Sequence, residues 1–206
     1  MSEAEFLARH DVSRETLERL HAYEALLRKW NVAINLIAKS TLEAIWSRHF
    51  LDSAQVFGLS PESARLWADL GSGGGFPGMI AAILSADAGR TTGFTLVESD
   101  LRKAAFLSTV AREIGLDVRV LANRTEALTP ICADILSARA VAPLEKLVGY
   151  AKLHLAPEGV ALFSKGATHR GELRQALEKY RFSHISVASL TDPDAVIYQI
   201  RDISFV

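Results

Sequence analysis

Apolar residues in the first 60 positions recur at intervals that predict helices. Between Ser13 and Trp30 they are spaced three or four residues apart, which is the period of an amphipathic helix. Ser13 has a side chain suited to cap this helix at its N-terminus. A second helical region is predicted over residues 41–57, and the Ser-Pro-Glu segment at 60–62 ends it. No strand is expected before residue 60.

After residue 65 the apolar residues fall in short runs that alternate with helical stretches. Seven runs of six to eight residues have the composition of strands. In chain order they are RLWADL, GFTLVE, DVRVLA, ADILSARA, GVALFSK, HISVASL and AVIYQI. Helices are predicted over residues 77–86, 101–115, 144–155 and 171–180.

This alternation predicts an α/β fold, with a doubly wound, mostly parallel seven-stranded sheet and helices on both faces. The last two strands have no helix between them, so a hairpin at the Asp-Pro-Asp segment 192–194 makes the last strand antiparallel. We therefore expect two parts, an N-terminal helical extension at residues 1–60 and a sheet domain at residues 61–206.

The composition is that of an ordinary globular protein, with 49% apolar and 23% charged residues in a chain of 206. A chain of this size needs neither a metal ion nor a disulfide to hold its core, and we expect no metal site. Cys132 is the only cysteine, which fits a reducing cytoplasm. We expect Cys132 to be a buried structural residue at the end of the sheet away from the site, because it precedes a strand.

Charge and hydropathy restrict the partners of the protein. The 23 Lys and Arg residues nearly balance the 24 Asp and Glu residues, and the net charge of −1 argues against indiscriminate binding to polyanions. A nucleic-acid substrate stays open, since a net charge says nothing about local patches. The sequence has neither the apolar stretch of a signal peptide nor about 18 consecutive apolar residues, so we expect no membrane association and a cytoplasmic location.

The segment DLGSGGGFPG, Asp69–Gly78, follows the first predicted strand and contains five glycines. In open α/β sheets the turn after the first strand commonly touches the cofactor. Gly71, Gly73 and Gly75 have no Cβ, so they can adopt a positive φ and let a ligand approach the backbone closely. We therefore expect this loop to bind a cofactor that carries a nucleoside.

Two classes of cofactor remain open at this loop. Gly73, Gly75 and Gly78 match the G-x-G-x-x-G fingerprint of dinucleotide-binding folds. Asp69 begins the competing pattern D-x-G-x-G-x-G, which resembles motif I of the S-adenosylmethionine-dependent methyltransferases. Glu98 ends the second predicted strand and fits an acceptor for ribose hydroxyls in both cases. A glycine-rich connection without a ligand is the third alternative.

Seven short segments, which occur in a fixed order and at fixed spacings over roughly residues 15–170, extend the likeness to methyltransferases beyond motif I. They are NLI at 35–37, RHFLDS at 48–53, DLGSGGGFPG at 69–78, VESDLRKAAFL at 97–107, NRTEAL at 123–128, SARAVA at 137–142 and SKG at 164–166. As a set they resemble the RsmG (GidB) family, the bacterial 16S ribosomal RNA guanine-N7 methyltransferases. The resemblance implies a class I methyltransferase-like fold and S-adenosyl-L-methionine as cofactor. It also implies 16S rRNA in the small ribosomal subunit as the partner, with the guanine at nucleotide 527 as the target, and we expect a monomer.

The resemblance assigns donor contacts to six residues besides Glu98, and Arg139 is one of them. Gly71, Gly73 and Phe76 contact the methyl donor, and a plain core residue is the alternative for Phe76. Thr125 and Glu126 follow the third strand and lie against the adenine. A solvated surface acid is the alternative for Glu126.

Arg139 and Lys165 are the residues that we expect at the reaction itself. Arg139 ends the fourth strand, where the family places both cofactor and substrate; a buried arginine paired with a carboxylate is the alternative. Lys165 ends the fifth strand and contributes to a basic rim around the loop ends. The other members of this rim are Arg102, Lys103, Arg124 and Arg170.

Three polar residues of the second helical region share one helix face, because residues three and four positions apart are neighbours. They are Arg48, His49 and Asp52. In the functional interpretation they lie at the mouth of the pocket or contact RNA phosphates. In the alternative, Arg48 forms an ion pair with Asp52 and His49 packs against the domain.

Methylation of guanine N7 requires no general base, since this nitrogen has a free lone pair and no proton. Two absences agree with that chemistry. Residues 137–140 read Ser-Ala-Arg-Ala, without the Asn/Asp-Pro-Pro-aromatic segment of base-amine methyltransferases, and the one cysteine lies away from the site. A nicotinamide-dependent oxidoreductase and a non-catalytic RNA-binding module on the same fold remain the alternative functions.

Overall fold

The structure, a computed structural model, describes residues 3–206 and contains the seven-stranded sheet that the sequence predicts. The strands are β1 Leu66–Leu70, β2 Gly93–Val97, β3 Val118–Leu121, β4 Ala133–Arg139, β5 Leu155–Lys165, β6 Tyr180–Ala188 and β7 Val196–Phe205. Their order is β3-β2-β1-β4-β5-β7-β6, and β7 is antiparallel to both of its neighbours. The predicted antiparallel last strand is therefore confirmed.

Seven α-helices accompany the sheet within the described residues. They are α1 Glu3–Leu7, α2 Arg14–Asn31, α3 Asp52–Gly58, α4 Gly78–Asp87, α5 Leu101–Glu113, α6 Leu144–His154 and α7 His169–Lys179. The helical region predicted over 41–57 consists of three pieces of different pitch: a 3₁₀ helix at Lys39–Ala44, a π-helix at Trp46–Leu51 and then α3. Within residues 3–206 no helix is both long and apolar enough to cross a membrane.

The predicted cap of α2 is present and also joins two helices. The Ser13 hydroxyl oxygen accepts a hydrogen bond from the Thr16 backbone N–H at 3.2 Å. At the end of α4, Asp87 accepts hydrogen bonds from the Ser13 hydroxyl at 2.6 Å and from the Thr16 hydroxyl at 2.7 Å. A carboxylate at a helix N-terminus is also favoured by the helix dipole. Asp87 thus fixes the start of α2 to the end of α4.

Helices cover both faces of the sheet and form two main hydrophobic cores. On one face the N-terminal helices pack together with α4 and α5 around the buried rings of Tyr23, Phe50, Phe76 and Phe106. On the other face α6 and α7 pack on β1, β4 and β5. The helical extension therefore shares its core with the helices of the sheet domain, and it lies directly against the glycine loop.

The two central strands, β1 and β4, are parallel neighbours from which the chain proceeds in opposite directions across the sheet. Ligands of open α/β sheets bind at the carboxyl ends of the strands at such a point. Cys132 lies at the other end of β4, as predicted, but it is exposed rather than buried. The prediction of a buried cysteine is wrong because Cys132 lies in the turn before β4, at a φ of +56°, and not within the strand.

Candidate functional site

The glycine loop after β1 adopts the backbone conformation that its sequence predicts. Gly71, Gly73 and Gly75 have φ angles of +60°, +54° and +98°. A Cβ on Gly71 would lie 2.5 Å from a methyl group of Val141, so only glycine fits under this side chain. Because L-residues with a side chain rarely adopt such φ angles, the loop depends on glycine for its shape.

Gly78, unlike the three loop glycines, is required for packing, because its lack of a Cβ lets α4 lie close to the sheet. A Cβ at this position would overlap the Leu96 side chain and lie 2.6 Å from the Asp69 Cβ. Close packing of helix on strand is the role of the third glycine in the dinucleotide fingerprint. Gly78 therefore serves packing here, and its presence does not by itself indicate a dinucleotide.

Glu98, which follows β2, connects the glycine loop to the next loop. Its carboxylate accepts a hydrogen bond from the Gly73 N–H at 2.9 Å and another from the Asp100 N–H at 2.8 Å. A carboxylate has about four acceptor sites, so two remain for ribose hydroxyls. Glu98 thus shapes the loop and keeps the acceptor capacity that its predicted role requires.

A cavity of about 500 Å³ opens over this loop, and we call it the glycine-loop cavity. Five of the predicted donor contacts line it: Gly71, Gly73, Phe76, Glu98 and Arg139. A smaller cavity of about 190 Å³, the Glu126 cavity, contains the other two predicted contacts, Thr125 and Glu126. Gly71 and Val141 line both cavities, so the Val141 side chain stands between them.

Thr125 and Glu126 lie in the short 3₁₀ helix after β3. Thr125 is buried, and its carbonyl oxygen lies 3.2 Å from the His154 ring nitrogen Nε2. Glu126 is exposed and accepts a hydrogen bond from the Tyr150 hydroxyl at 2.9 Å. Its own backbone N–H and the Tyr150 hydroxyl hold the pKa of the Glu126 carboxyl below its usual range. Glu126 is therefore ionised at neutral pH.

Phe76 belongs to the core and lines the cavity at the same time. Its ring is 3% exposed and stacks between Tyr23 and His49, at centroid distances of 5.6 Å and 4.9 Å. The Arg139 guanidinium lies 4.9 Å from the centroid of the same ring. The two interpretations of Phe76 are thus compatible, and its ring connects the N-terminal helices to Arg139.

Arg139 is held by the π-helix and the start of α3. Its Nη1 donates hydrogen bonds to Asp52 Oδ2 at 3.1 Å and to the Arg48 carbonyl at 3.2 Å, and its Nη2 donates to His49 Nδ1 at 2.8 Å. Arg139 is therefore paired with a carboxylate, as the alternative interpretation states, although it also lines the cavity. The predicted Arg48–Asp52 ion pair is wrong: Arg48 pairs with Asp192 at 3.1 Å, because Asp52 is occupied by Arg139.

His49 is a neutral acceptor for Arg139. Burial, together with the positive charges of Arg139 and Arg48, lowers the pKa of His49 to about 3. Because Nδ1 accepts from Arg139, the ring proton must be on Nε2, which donates to the Thr41 hydroxyl at 2.9 Å. That hydroxyl in turn donates to the Ala38 carbonyl at 2.8 Å. A hydrogen-bond chain of fixed direction thus runs from Arg139 to the wall of the glycine-loop cavity.

A further cavity of about 300 Å³, the β5 cavity, lies on the other side of Arg139. It shares His49, Arg139 and Ala140 with the glycine-loop cavity. Lys165 lies in its wall, where Nζ pairs with Glu172 at 2.6 Å and donates to the Ala142 carbonyl at 2.9 Å. The Lys165 side chain is only 9% exposed, so its charge lies in the cavity wall against Glu172 and not in free solvent.

The predicted members of the basic rim are distributed around the loop ends. Lys103 lines the glycine-loop cavity, and Arg124 lines the Glu126 cavity. Arg102 pairs with Asp100 at 3.3 Å. Arg170 is exposed in the first turn of α7.

Sequence reasoning missed the residues that support the glycine loop from behind. The Tyr23 hydroxyl donates a hydrogen bond to the Gly74 carbonyl, and Gly75 leaves room for that hydroxyl. Asn31 Oδ1 accepts from the N–H groups of Leu36 and Ile37 at 2.8 Å and 3.0 Å, which fixes one wall of the cavity. Tyr23 falls on the apolar face of a predicted helix and gives no separate signal. The Asn31 side chain gives a weak one, as a polar residue at a helix end.

The order of the strands, the glycine loop and the cavity at the β1–β4 switch point together define a class I methyltransferase fold. Three solved structures share it. Ribosomal protein L11 methylase from Lactobacillus delbrueckii has a TM-score of 0.58 and 17% identity, and the match covers 74% of this chain and 76% of that one. The mitomycin 7-O-methyltransferase MmcR has a TM-score of 0.60 and 17% identity over 97% of this chain and 70% of that one, and MtNAS in complex with S-adenosylmethionine has a TM-score of 0.58 and 14% identity over 89% and 71% of the two chains. At these identities the likeness concerns the fold alone. The predicted fold class is confirmed.

The sequence comparisons identify the family. The profile of GidB, rRNA small subunit methyltransferase G, matches residues 16–198. Proteins called ribosomal RNA small subunit methyltransferase G are 49% identical in Cereibacter sphaeroides, over the full length of both chains, and 50% identical in Ruegeria pomeroyi, over 95% of this chain and 96% of that one. The chain belongs to this family and is an S-adenosylmethionine-dependent methyltransferase. Of the two cofactors that the glycine loop left open, the family match supports S-adenosylmethionine.

Proposed function

We propose that the protein transfers a methyl group from S-adenosylmethionine to N7 of a guanine in 16S ribosomal RNA of the small ribosomal subunit. The guanine at nucleotide 527 is the target that the family resemblance implies. The observation that carries the proposal is the junction of two cavities at Arg139. The glycine-loop cavity has the size and the backbone for the donor, and the β5 cavity beside it is open for a base.

The residues of the first two cavities fit the donor. Gly71 and Gly73 would hold the methionine part along their backbone, and Glu98 would accept hydrogen bonds from the ribose hydroxyls with its free lone pairs. Thr125 and Glu126, in the Glu126 cavity, would hold the adenine, and Phe76 closes the glycine-loop cavity from the core side. When bound, S-adenosylmethionine would supply an electrophilic methyl group to N7, with the neutral thioether as leaving group that keeps the electron pair.

The β5 cavity has the features that a purine acceptor needs. No side chain has to remove a proton, because N7 attacks with its own lone pair, and His49 is accordingly neutral with both ring nitrogens engaged. Catalysis then rests on positioning, which can contribute about 7–11 kcal/mol when the reacting atoms are held about 3–3.5 Å apart. Proteins reach RNA bases mainly in loops or by flipping them out, so we propose that the target enters the cavity unpaired.

Arg139 and Lys165 have different parts in this arrangement. Arg139 lies in the wall between the two cavities and is proposed to contact the reactants. Lys165 is proposed as a positioning residue, because its ammonium holds the Ala142 carbonyl and so fixes the loop that carries Val141. The ion pairs with Asp52 and Glu172 balance both positive charges, which reduces their repulsion of the cation that forms on the base.

The division of the chain at residue 60 is also part of the proposal. Residues 1–60 act as an extension that completes the donor site, since the loop at Leu36–Ala38 lines the glycine-loop cavity and Tyr23 supports the glycine loop. We propose that the protein works as a monomer. We place it in the cytoplasm, where small subunits are assembled.

The proposal is tested by incubating the protein with radiolabelled S-adenosylmethionine and small subunits from a strain that lacks the modification. We expect label in 16S rRNA and a 7-methylguanosine at one site by mass spectrometry. Arg139→Ala should reduce the label. Arg112→Ala should not, because Arg112 is exposed at the far end of α5 and pairs with its neighbour Glu113 at 3.1 Å. Donor binding without label in RNA would instead support a non-catalytic RNA-binding module.

A further inference from the structure

The Arg139 guanidinium has donors left over after its contacts to the protein. A guanidinium carries five N–H groups and no acceptor. Two of them bond to Asp52 and to the Arg48 carbonyl, and one bonds to His49. Within residues 3–206 the Nε–H and the second N–H of Nη2 have no acceptor. The Arg139 side chain is 18% exposed, and it borders both the glycine-loop cavity and the β5 cavity.

The acceptors around Arg139 hold the group in place and balance its charge. Asp52 supplies one negative charge at 3.1 Å, and the neutral His49 ring supplies a directed acceptor at 2.8 Å. Three hydrogen bonds to two helical segments leave the guanidinium little freedom to turn. The unused N–H groups are thus presented at the junction of the cavities without the loss of an existing partner.

The chemistry of purines makes these donors selective. A base that is methylated at N7 must direct N7 toward the donor, and its 6-substituent lies on the same edge. Guanine carries an acceptor, O6, at that position, whereas adenine carries an amino group that donates. An arginine, which only donates, binds the first and repels the second.

We infer that Arg139 selects guanine over adenine by donating a hydrogen bond to O6 of the base in the β5 cavity. This inference rests on the proposed function and deepens it, since it names the group that recognises the base. The competing use of the same N–H groups is a contact to the carboxylate of the methyl donor, because Arg139 also borders the glycine-loop cavity. Replacing the base distinguishes the two: the rate of methyl transfer depends on O6 if Arg139 binds the base, and does not if Arg139 binds the donor carboxylate.

The test replaces the target base and leaves the protein unchanged. Small subunits are reconstituted with 16S rRNA that carries guanine, inosine, 2-aminopurine or adenine at the target nucleotide. Methyl transfer is then measured in a single turnover at saturating S-adenosylmethionine. Inosine keeps O6 and lacks the 2-amino group, whereas 2-aminopurine keeps the amino group and lacks O6.

We expect inosine to react within about threefold of guanine, and 2-aminopurine to react about 10- to 100-fold more slowly, as for a lost hydrogen bond to a charged donor. Adenine should give no detectable product. Equal rates for guanine and 2-aminopurine would overturn the inference while leaving the proposed function intact. No transfer to guanine would overturn both.

A variant links the selectivity to the residue. Arg139→Met, which has no N–H donor, should reduce the guanine to 2-aminopurine rate ratio to about threefold or less, and Arg112→Met should keep the ratio of the unmodified protein. Donor affinity is measured by calorimetry on the same variants. If Arg139→Met weakens donor binding and retains the full rate ratio, the guanidinium serves the donor carboxylate and the inference is wrong.

Discussion

Substitution of Tyr23 by Phe tests whether the N-terminal extension shapes the donor site. The Tyr23 hydroxyl donates to the Gly74 carbonyl in the middle of the glycine loop, and both residues are buried. Burial raises the pKa of Tyr23 well above its usual range, so the hydroxyl keeps the proton that it donates. The Phe ring retains the stacking on Phe76 and Phe50, and the variant therefore removes the hydrogen bond alone.

The size of the effect follows from the carbonyl that is left behind. A buried polar group without a partner costs about 1–3 kcal/mol. For a chain of this length each kcal/mol lowers Tm by about 2–4 °C, which gives an expected decrease of about 2–12 °C. We also expect a higher Kd for S-adenosylmethionine, because the donor binds the ordered conformation of the loop.

Thermal unfolding and calorimetric titration with S-adenosylmethionine measure the two effects. Tyr180→Phe is the matched control, since Tyr180 lies at the start of β6, away from the loop. It should change Tm by no more than about 1 °C. If Tyr23→Phe leaves both Tm and the Kd of the donor at the values of the unmodified protein, the Tyr23 hydroxyl does not stabilise the glycine loop.

Four further predictions follow from single contacts. Burial raises the pKa of Asp69 from 3.8 to about 6, so the folded state holds this proton more tightly than the unfolded state. Its contribution to stability is present in full below about pH 4, the pKa of the unfolded state, and about 3 kcal/mol of it is lost as pH rises through 6; denaturant unfolding of Asp69→Asn should lack this fall. His49, with a pKa of about 3, should show the Nε2–H tautomer by nitrogen NMR and no titration between about pH 5 and 8. Partial burial alone would raise the pKa of Asp87, but the hydrogen bonds from Ser13 and Thr16 outweigh it, so the pKa is lowered. Asp87→Ala should therefore decrease the unfolding free energy by about 1–3 kcal/mol at neutral pH. Gly71→Ala puts a methyl group 2.5 Å from Val141 at a φ of +60°, and it should abolish donor binding in a calorimetric titration.

The sheet and the glycine loop could be predicted because local patterns determine them. Alternation of apolar runs with helical stretches gives the strands, and Ser13 gives the cap of α2. The positive φ angles of Gly71 and Gly73 follow from the density of glycines after a strand. In each case the signal lies within a few residues of the feature that it predicts.

The partners of the charged residues could not be predicted in the same way. Arg48 and Asp52 are neighbours on a helix face, yet each has a stronger partner that is distant in the sequence, Asp192 and Arg139 respectively. Helix geometry supplies only about 0.2–0.5 kcal/mol for such a pair, so the tertiary fold decides between the partners. The bond from Tyr23 to the glycine loop is hidden for the same reason, since it depends on how α2 packs.

The most direct test of the account is a parallel calorimetric titration of the protein with S-adenosylmethionine and with NADH. We expect S-adenosylmethionine to bind at one site with a micromolar Kd, Gly71→Ala to lose this binding, and NADH not to bind. Binding of NADH, or undiminished binding of S-adenosylmethionine by Gly71→Ala, would contradict the claim that the glycine loop holds the methyl donor.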